Sequence, residues 1–224
     1  MSLKGMIKKT APDILLRTVR TRRAWREHEK TRPVWQRIDQ ELLEEARLVS
    51  DVLEMLDRMP KGGVVAEIGV AEGKLSQEIL KRTAPRKLYL VDPWDVDTFD
   101  AYSEQSFVAL ESRFKKEIDS GRVELRRGYS GAVLPTFPEN HFDWVYVDAA
   151  HDYDNVSKDL EMCSRIVKPG GLISGHDYVR WVDPTVRHGV VEAVNEFVNR
   201  TRSWFVMLTN QFDKVDSFAI RLNK

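Results

Sequence analysis

Val-Val-Ala-Glu-Ile-Gly-Val-Ala-Glu-Gly, residues 64–73, followed by Lys74-Leu-Ser-Gln-Glu-Ile79, decides how this chain reads. An apolar run closes on Glu67, breaks at Gly69 and Gly73, and gives way to helix-forming residues. A buried strand that turns at glycine into a helix brings backbone close to a ligand at the strand's carboxyl end. The spacing E-x-G-x-x-x-G narrows the ligand. A dinucleotide turn needs G-x-G-x-x-G, and Ala71 stands where its second glycine belongs. A phosphate loop needs G-x-x-x-x-G-K-[ST]; here the gap is one residue short and Leu75 follows Lys74. A carboxylate just before the turn also suits a cationic ligand better than a pyrophosphate.

Outward from this turn the pattern repeats. Lys87–Val91 reads as a second strand ending at Asp92-Pro93-Trp94, placed so that Asp92 can accept from both hydroxyls of a ribose. Val123–Arg127 predicts a third strand, ending at Gly128-Tyr129-Ser130. Phe142–Val147 predicts a fourth, ending at Asp148-Ala-Ala-His151-Asp-Tyr153. Lys168-Pro-Gly-Gly171 turns into a fifth, Leu172–Ser174, before Gly175-His176-Asp177-Tyr178. Each strand delivers polar or acidic residues at its carboxyl end, where open parallel sheets bind ligands.

Taken in order, Glu67-x-Gly69-x-x-x-Gly73, Leu90-Val-Asp92-Pro-Trp94, Phe142-Asp-Trp-Val-Tyr-Val-Asp148 and Lys168-Pro-Gly-Gly-Leu172 resemble the class I S-adenosylmethionine-dependent methyltransferases over roughly residues 50–222. Asp148-x-x-His151-x-Tyr153, His176-Asp177 and Gly189-Val-Val-Glu-Ala-Val-Asn-Glu-Phe197 narrow the likeness to macrocin-type O-methyltransferases of sugars and natural products. The resemblance implies an α/β, Rossmann-like, doubly wound sheet of seven strands, mostly parallel. Its terminal antiparallel pair falls near Trp204–Thr209 and Ser217–Leu222.

That resemblance assigns roles. Gly69 and Gly73 would let backbone approach the cofactor's amino-acid tail, and Glu67 would orient its amino group. Asp92 would hold the ribose, Trp94 could lie against the adenine, and Tyr129 and Ser130 would border the ring. The acid many family members carry at the third-strand end is missing. A sugar-like hydroxyl is a poor nucleophile until a base or a metal favours its alkoxide. Asp148 and Asp177 close adjacent strands, and His151 and His176 stand beside them as catalytic candidates, His151 as base. The acids would also hold Mg²⁺ or Mn²⁺, added histidine favouring Mn²⁺ or Zn²⁺. The family often places a second acid or amide after the fifth strand, where this chain has Tyr178. His188, Arg180, Trp181 and Arg187 fall on a long connection that could close over an acceptor, with Asp95–Tyr102 as a second wall.

Composition bounds the rest. The 224 residues suit one α/β unit, and 42% hydrophobic with 31% charged content is ordinary for a soluble globular protein. Cys163 is the sole cysteine, so no intramolecular disulfide forms, and a reducing cytoplasm is expected. No apolar run approaches the ~20 residues that span a bilayer, and the start does not read as a signal peptide. Residues 1–36 carry ten Lys/Arg against three Asp/Glu, a net of +7; since the whole chain balances 35 against 35, residues 37–224 carry −7. The reading is therefore a basic N-terminal arm, 1–36, preceding a methyltransferase domain, 37–224. The arm suggests helices that pack on the domain or on a second copy, with an anionic membrane surface or nucleic acid as alternatives. Ile38, Leu42, Ala46, Val49, Leu53 and Leu56 form a helical stripe that predicts a helix ending at Pro60-Lys-Gly-Gly63.

The expected substrate is a small, polar, hydroxylated acceptor such as a sugar or glycosylated natural product. Two other classes stay open. An RNA methyltransferase or nucleic-acid binder would use the arm, although an amino-methylating enzyme usually shows Asn/Asp-Pro-Pro-Tyr/Phe where Asp148-Ala-Ala-His151 stands. An NAD-dependent oxidoreductase is disfavoured by the glycine spacing and by Glu67.

Overall fold

The computed structural model describes residues 36–94, 104–179, 188–211 and 215–224. The basic arm up to residue 35, the wall at 95–102 and Arg180, Trp181 and Arg187 lie outside the described residues.

Eight strands form one sheet: β1 (Arg47–Val49), β2 (Val64–Ile68), β3 (Lys87–Asp92), β4 (Val123–Arg127), β5 (Phe142–Val147), β6 (Val167–Gly175), β7 (Trp204–Thr209) and β8 (Phe218–Arg221). Their order is β1-β7-β8-β6-β5-β2-β3-β4. Every neighbouring pair is parallel except those of β8, which runs antiparallel to both β6 and β7. Helices α1 (Val52–Arg58), α2 (Lys74–Thr83), α3 (Glu104–Arg113), α4 (Lys115–Asp119), α5 (Ser130–Val133), α6 (Tyr153–Ile166) and α7 (Val190–Thr201) fill the connections. The doubly wound arrangement follows from strand chemistry: all five residues of β2 are buried, as a strand covered on both faces requires.

Two apolar layers result. On one face α6 and α7 pack Val156, Leu160, Cys163, Ile166, Val194 and Phe197 against Ala66, Val145 and Ile173. On the other, α1 and α2 place Met55, Leu56 and Ile79 with Val65, Leu88 and Trp144. Cys163 is wholly buried, and burial pushes its thiol well up, which fits a packing residue. Asp51 caps α1 by accepting from the N–H of Glu54 (2.8 Å), and Asp152 caps α6 by accepting from that of Asn155 (3.2 Å). Each such cap stabilises by about 1 kcal/mol.

The sheet has one strand more than the seven expected, and the extra one replaces part of the predicted helix. Residues 40–43 form a 3₁₀ turn, 47–49 pair with β7, and only 52–58 are α-helical. Leu42 enters the α6–α7 layer, whereas Val49 and Leu56 enter the opposite one. The chain therefore crosses the sheet edge within the apparent stripe, and a continuous helix cannot lie on both faces. Before it crosses, the carbonyls of Gln36 and Arg37 accept from Asn195 and Asn199 of α7 (2.8 Å each). Among the described residues no helix is long and apolar enough to cross a membrane.

Candidate active site

The two glycines of the β2–α2 turn answer to protein contacts first. Gly69 has φ +87°, and a Cβ there would stand 1.8 Å from the Asp148 carbonyl oxygen. The ends of β2 and β5 thus press together, tied by the Asp148 N–H donating to Ile68 (2.7 Å). Gly73 has φ +73°, and its Cβ would meet Leu110 at 2.6 Å and Phe114 at 2.8 Å. It leaves room for α3 and its sequel, so its assignment to the cofactor tail acquires a competing cause.

Asp92 is the clamp of this turn. Its Oδ2 accepts from the N–H groups of Val70 (2.8 Å) and Ala71 (3.0 Å), and its Oδ1 from that of Trp94 (2.7 Å). These bonds hold Ala71 and Trp94 at φ 51° and 42°, left-handed positions that non-glycine residues seldom take. Three of the carboxylate's roughly four acceptor sites are filled, which leaves room for one ribose hydroxyl rather than the two expected. Trp94 is 1% exposed; its indole N–H donates to the Ala71 carbonyl (3.2 Å), and its ring packs against Phe107. It presents no face for adenine. Tyr129 is exposed at the start of α5. Ser130 faces Asp159 of α6, a carboxyl raised by burial and held back by the serine hydroxyl.

A cleft of about 490 Å³ runs between the glycine turn and the end of β5, lined by Glu67, Gly69, Val70, Lys74, Asp148 and His151 among others. That size suits a small-molecule ligand. Glu67 is its buried acid. The Ser76 hydroxyl donates to Glu67, yet desolvation still pushes the carboxyl up to about 8, with Asp148 and Asp92 adding to the rise. Sequence reasoning missed Ser76; its signal was a small hydroxyl residue in the first turn after the glycines. A larger hollow of about 850 Å³ lies beside β1, lined by residues including Glu44, Arg47 and Leu172. It holds none of the cluster residues.

The four catalytic candidates come together, with Asp148 and His151 on the cleft wall. Nε2 of His151 lies 2.8 Å from Asp177 Oδ2 and 3.8 Å from Asp148 Oδ1. Nδ1 of His176 lies 3.5 Å from Asp177 Oδ1 and 4.0 Å from Asp148 Oδ1. The Asp148 and Asp177 carboxylates push His151 up to about 10, Asp177 being the nearer. Burial pulls His176 down, but the same two acids outweigh it and raise it. Burial would raise Asp177; His151 and His176 overcome it and hold the carboxyl well below its ordinary value. One ligand atom each from Asp148, His176 and Asp177 lies within 4.8 Å of the others, as does one each from His151, Asp177 and His188. Tyr178, where the family often has a ligand, donates its hydroxyl to Asn195 (2.7 Å) and turns away from the cluster into the layer under α7.

A family model described as a methyltransferase domain matches residues 66–178, just over half of the chain. A presumed O-methyltransferase of Mycobacterium ulcerans (strain Agy99) is 29% identical over 151 residues, covering 66% of this chain and 63% of the relative. The matched stretch is thus less than two thirds of that relative's length. Among solved structures, the O-methyltransferase TomG from Streptomyces achromogenes, involved in tomaymycin synthesis and in complex with SAM, superposes with TM-score 0.55 at 19% identity, covering 91% of this chain and 89% of that one. An O-methyltransferase from Bacillus cereus in complex with SAH gives TM-score 0.54 at 17% identity, with 91% and 90% covered.

Proposed function

For a chain that belongs to the methyltransferase-domain family, we propose S-adenosylmethionine-dependent O-methylation of a small, polar, hydroxylated acceptor, a sugar or glycosylated natural product. The observation that carries this reading is the Asp148–His151–His176–Asp177 cluster, of which Asp148 and His151 line the cleft that begins at Glu67. The glycine turn, Asp148 and His151 thereby face one volume, in which donor and acceptor would meet. The M. ulcerans relative and TomG are both named as O-methyltransferases, in keeping with hydroxyl chemistry.

Glu67 would accept from the cofactor's ammonium, with Ser76 holding the carboxylate in place. Asp92 would take one ribose hydroxyl while keeping the turn closed. Transfer is an in-line displacement: the acceptor oxygen bonds to the methyl carbon, the sulfur–methyl bond breaks, and S-adenosylhomocysteine leaves. Placement of the two reactants supplies much of the rate. The hydroxyl proton would pass to the imidazole of His151. Beside Asp148 and Asp177, however, His151 already holds a proton near neutral pH. Two carboxylates and an imidazole in mutual reach fit a divalent cation such as Mg²⁺ or Mn²⁺. Held by Asp148, His176 and Asp177, such an ion would neutralise the acids, favour the acceptor's alkoxide and leave His151 a neutral imidazole.

The test is calorimetric binding of S-adenosylhomocysteine, with NAD as control and Mg²⁺ or Mn²⁺ present or absent. Selective binding that weakens in Glu67→Gln supports the reading and justifies screening hydroxylated acceptors. No binding, or preference for NAD, overturns it. Activity unchanged under rigorous chelation would remove the cation alone.

A further inference from the structure

The cluster divides into two triads that share Asp177. Oδ1 of that residue faces His176 at 3.5 Å, on the Asp148 side, while Oδ2 faces His151 at 2.8 Å. Beyond His151 stands His188, its ring centroid 5.3 Å away and its plane only 15° from parallel. We propose that His151, Asp177 and His188 form a second cation site, separate from Asp148–His176–Asp177, that takes an imidazole-preferring ion such as Zn²⁺ and withdraws His151 from the acceptor.

Donor chemistry separates the two triads. Two carboxylates and one imidazole suit hard, oxygen-seeking ions; two imidazoles and one carboxylate suit Zn²⁺, which also binds such sets more tightly than Mn²⁺. Both oxygens of Asp177 are engaged, one toward each triad, so the residue is placed to bridge. The second triad is also the drier: with Asp177 common to both, it adds His188, 7% exposed, and half-buried His151, where the first adds half-buried Asp148 and His176. Zn–N and Zn–O bonds of about 2.0–2.2 Å put tetrahedral ligands ~3.4 Å apart. His151 and Asp177 need to part by roughly half an ångström to admit an ion, and His188 to close by no more than ~1.4 Å from its 4.8 Å limit. That closure falls on side-chain rotation, because the backbone is already pinned. The N–H of Gly189 donates to the His151 carbonyl (2.7 Å), and Gly189 packs so tightly that a Cβ would stand 2.4 Å from the Tyr153 nitrogen. Three protein ligands leave a fourth position for water.

The inhibitory consequence rests on the reading of His151 as base; the site itself does not. The full chain, stripped with a chelator, is titrated with Zn²⁺ in excess Mg²⁺ by calorimetry, and imidazole resonances are followed by NMR. Expected are Zn²⁺ binding that Mg²⁺ does not displace, and shifts at His151 and His188 larger than at His176. Affinity should fall at least about tenfold in His188→Ala and His188→Gln, but no more than about threefold in His176→Ala. Unchanged S-adenosylhomocysteine binding in the His188 variants would show that they are folded. Wild-type Zn²⁺ affinity in both His188 variants, equal losses in His176→Ala, or an unmoved His188 resonance would each overturn the site. Should the Zn²⁺ pattern hold while S-adenosylhomocysteine fails to bind, the cation site stands and the methyltransferase reading falls; the reverse pattern spares that reading.

Discussion

Glu67 and Asp92 show how burial turns similar carboxylates to different work. Glu67 folds with its carboxyl raised from 4.5 to about 8, mainly by desolvation. A group that binds its proton more tightly when folded contributes stability that is full below about 4.5 and is lost as pH rises through about 8. Thermal midpoints should therefore fall across that window, and Glu67→Gln should flatten the fall. An ammonium ligand requires the ionised form, so S-adenosylhomocysteine binding should release a proton and tighten by up to about tenfold per pH unit below 8. Calorimetry in buffers of differing ionisation enthalpy reads that proton; its absence would remove Glu67 from the ammonium. Asp92 instead anchors backbone, and Asp92→Asn would set an amide donor against N–H donors. Urea unfolding should show a loss on the order of 2–4 kcal/mol. For His151→Ala, turnover should drop about 10²–10⁴-fold with cofactor affinity kept; equal turnover would end its role as base.

At the scale of elements, strands were legible, and contacts across elements were not. Runs such as Val64–Ile68 and Phe142–Val147 match the observed strands because their apolar content answers directly to burial on both faces. The stripe from Ile38 to Leu56 misled because periodicity records which residues are buried, not on which face of the sheet. Gly69 and Gly73 were legible as a turn, but their neighbours, the Asp148 backbone and the Leu110–Phe114 pair, come from distant segments. Asp152→Ala should remove the α6 cap at a cost of about 1 kcal/mol by chemical denaturation, and as the residue following His151 it should broaden that imidazole's NMR signal. A sharp, unmoved signal would show that the Gly189 contact alone fixes the loop.

The molecule as a whole assembles a site that no segment contains. Asp148 and His151 arrive on the β5–α6 loop, and His176 and Asp177 follow β6, so their mutual reach exists only in the folded chain. A cation held there must therefore stabilise the fold: at a hundred times its dissociation constant it should add about 2.7 kcal/mol, seen as a rise in thermal midpoint that Asp177→Asn abolishes. By itself the sequence determined the main strand runs, the glycine turn and which side chains stand at strand ends, because apolar runs, glycine and strand polarity are local properties; the doubly wound order of the strands came from the family resemblance. Only tertiary structure decided that Trp94 belongs to the core, that Asp92 clamps the turn and that His188 stacks on His151. Those outcomes depend on which distant surfaces close around a side chain, and burial and hydrogen bonding are settled there.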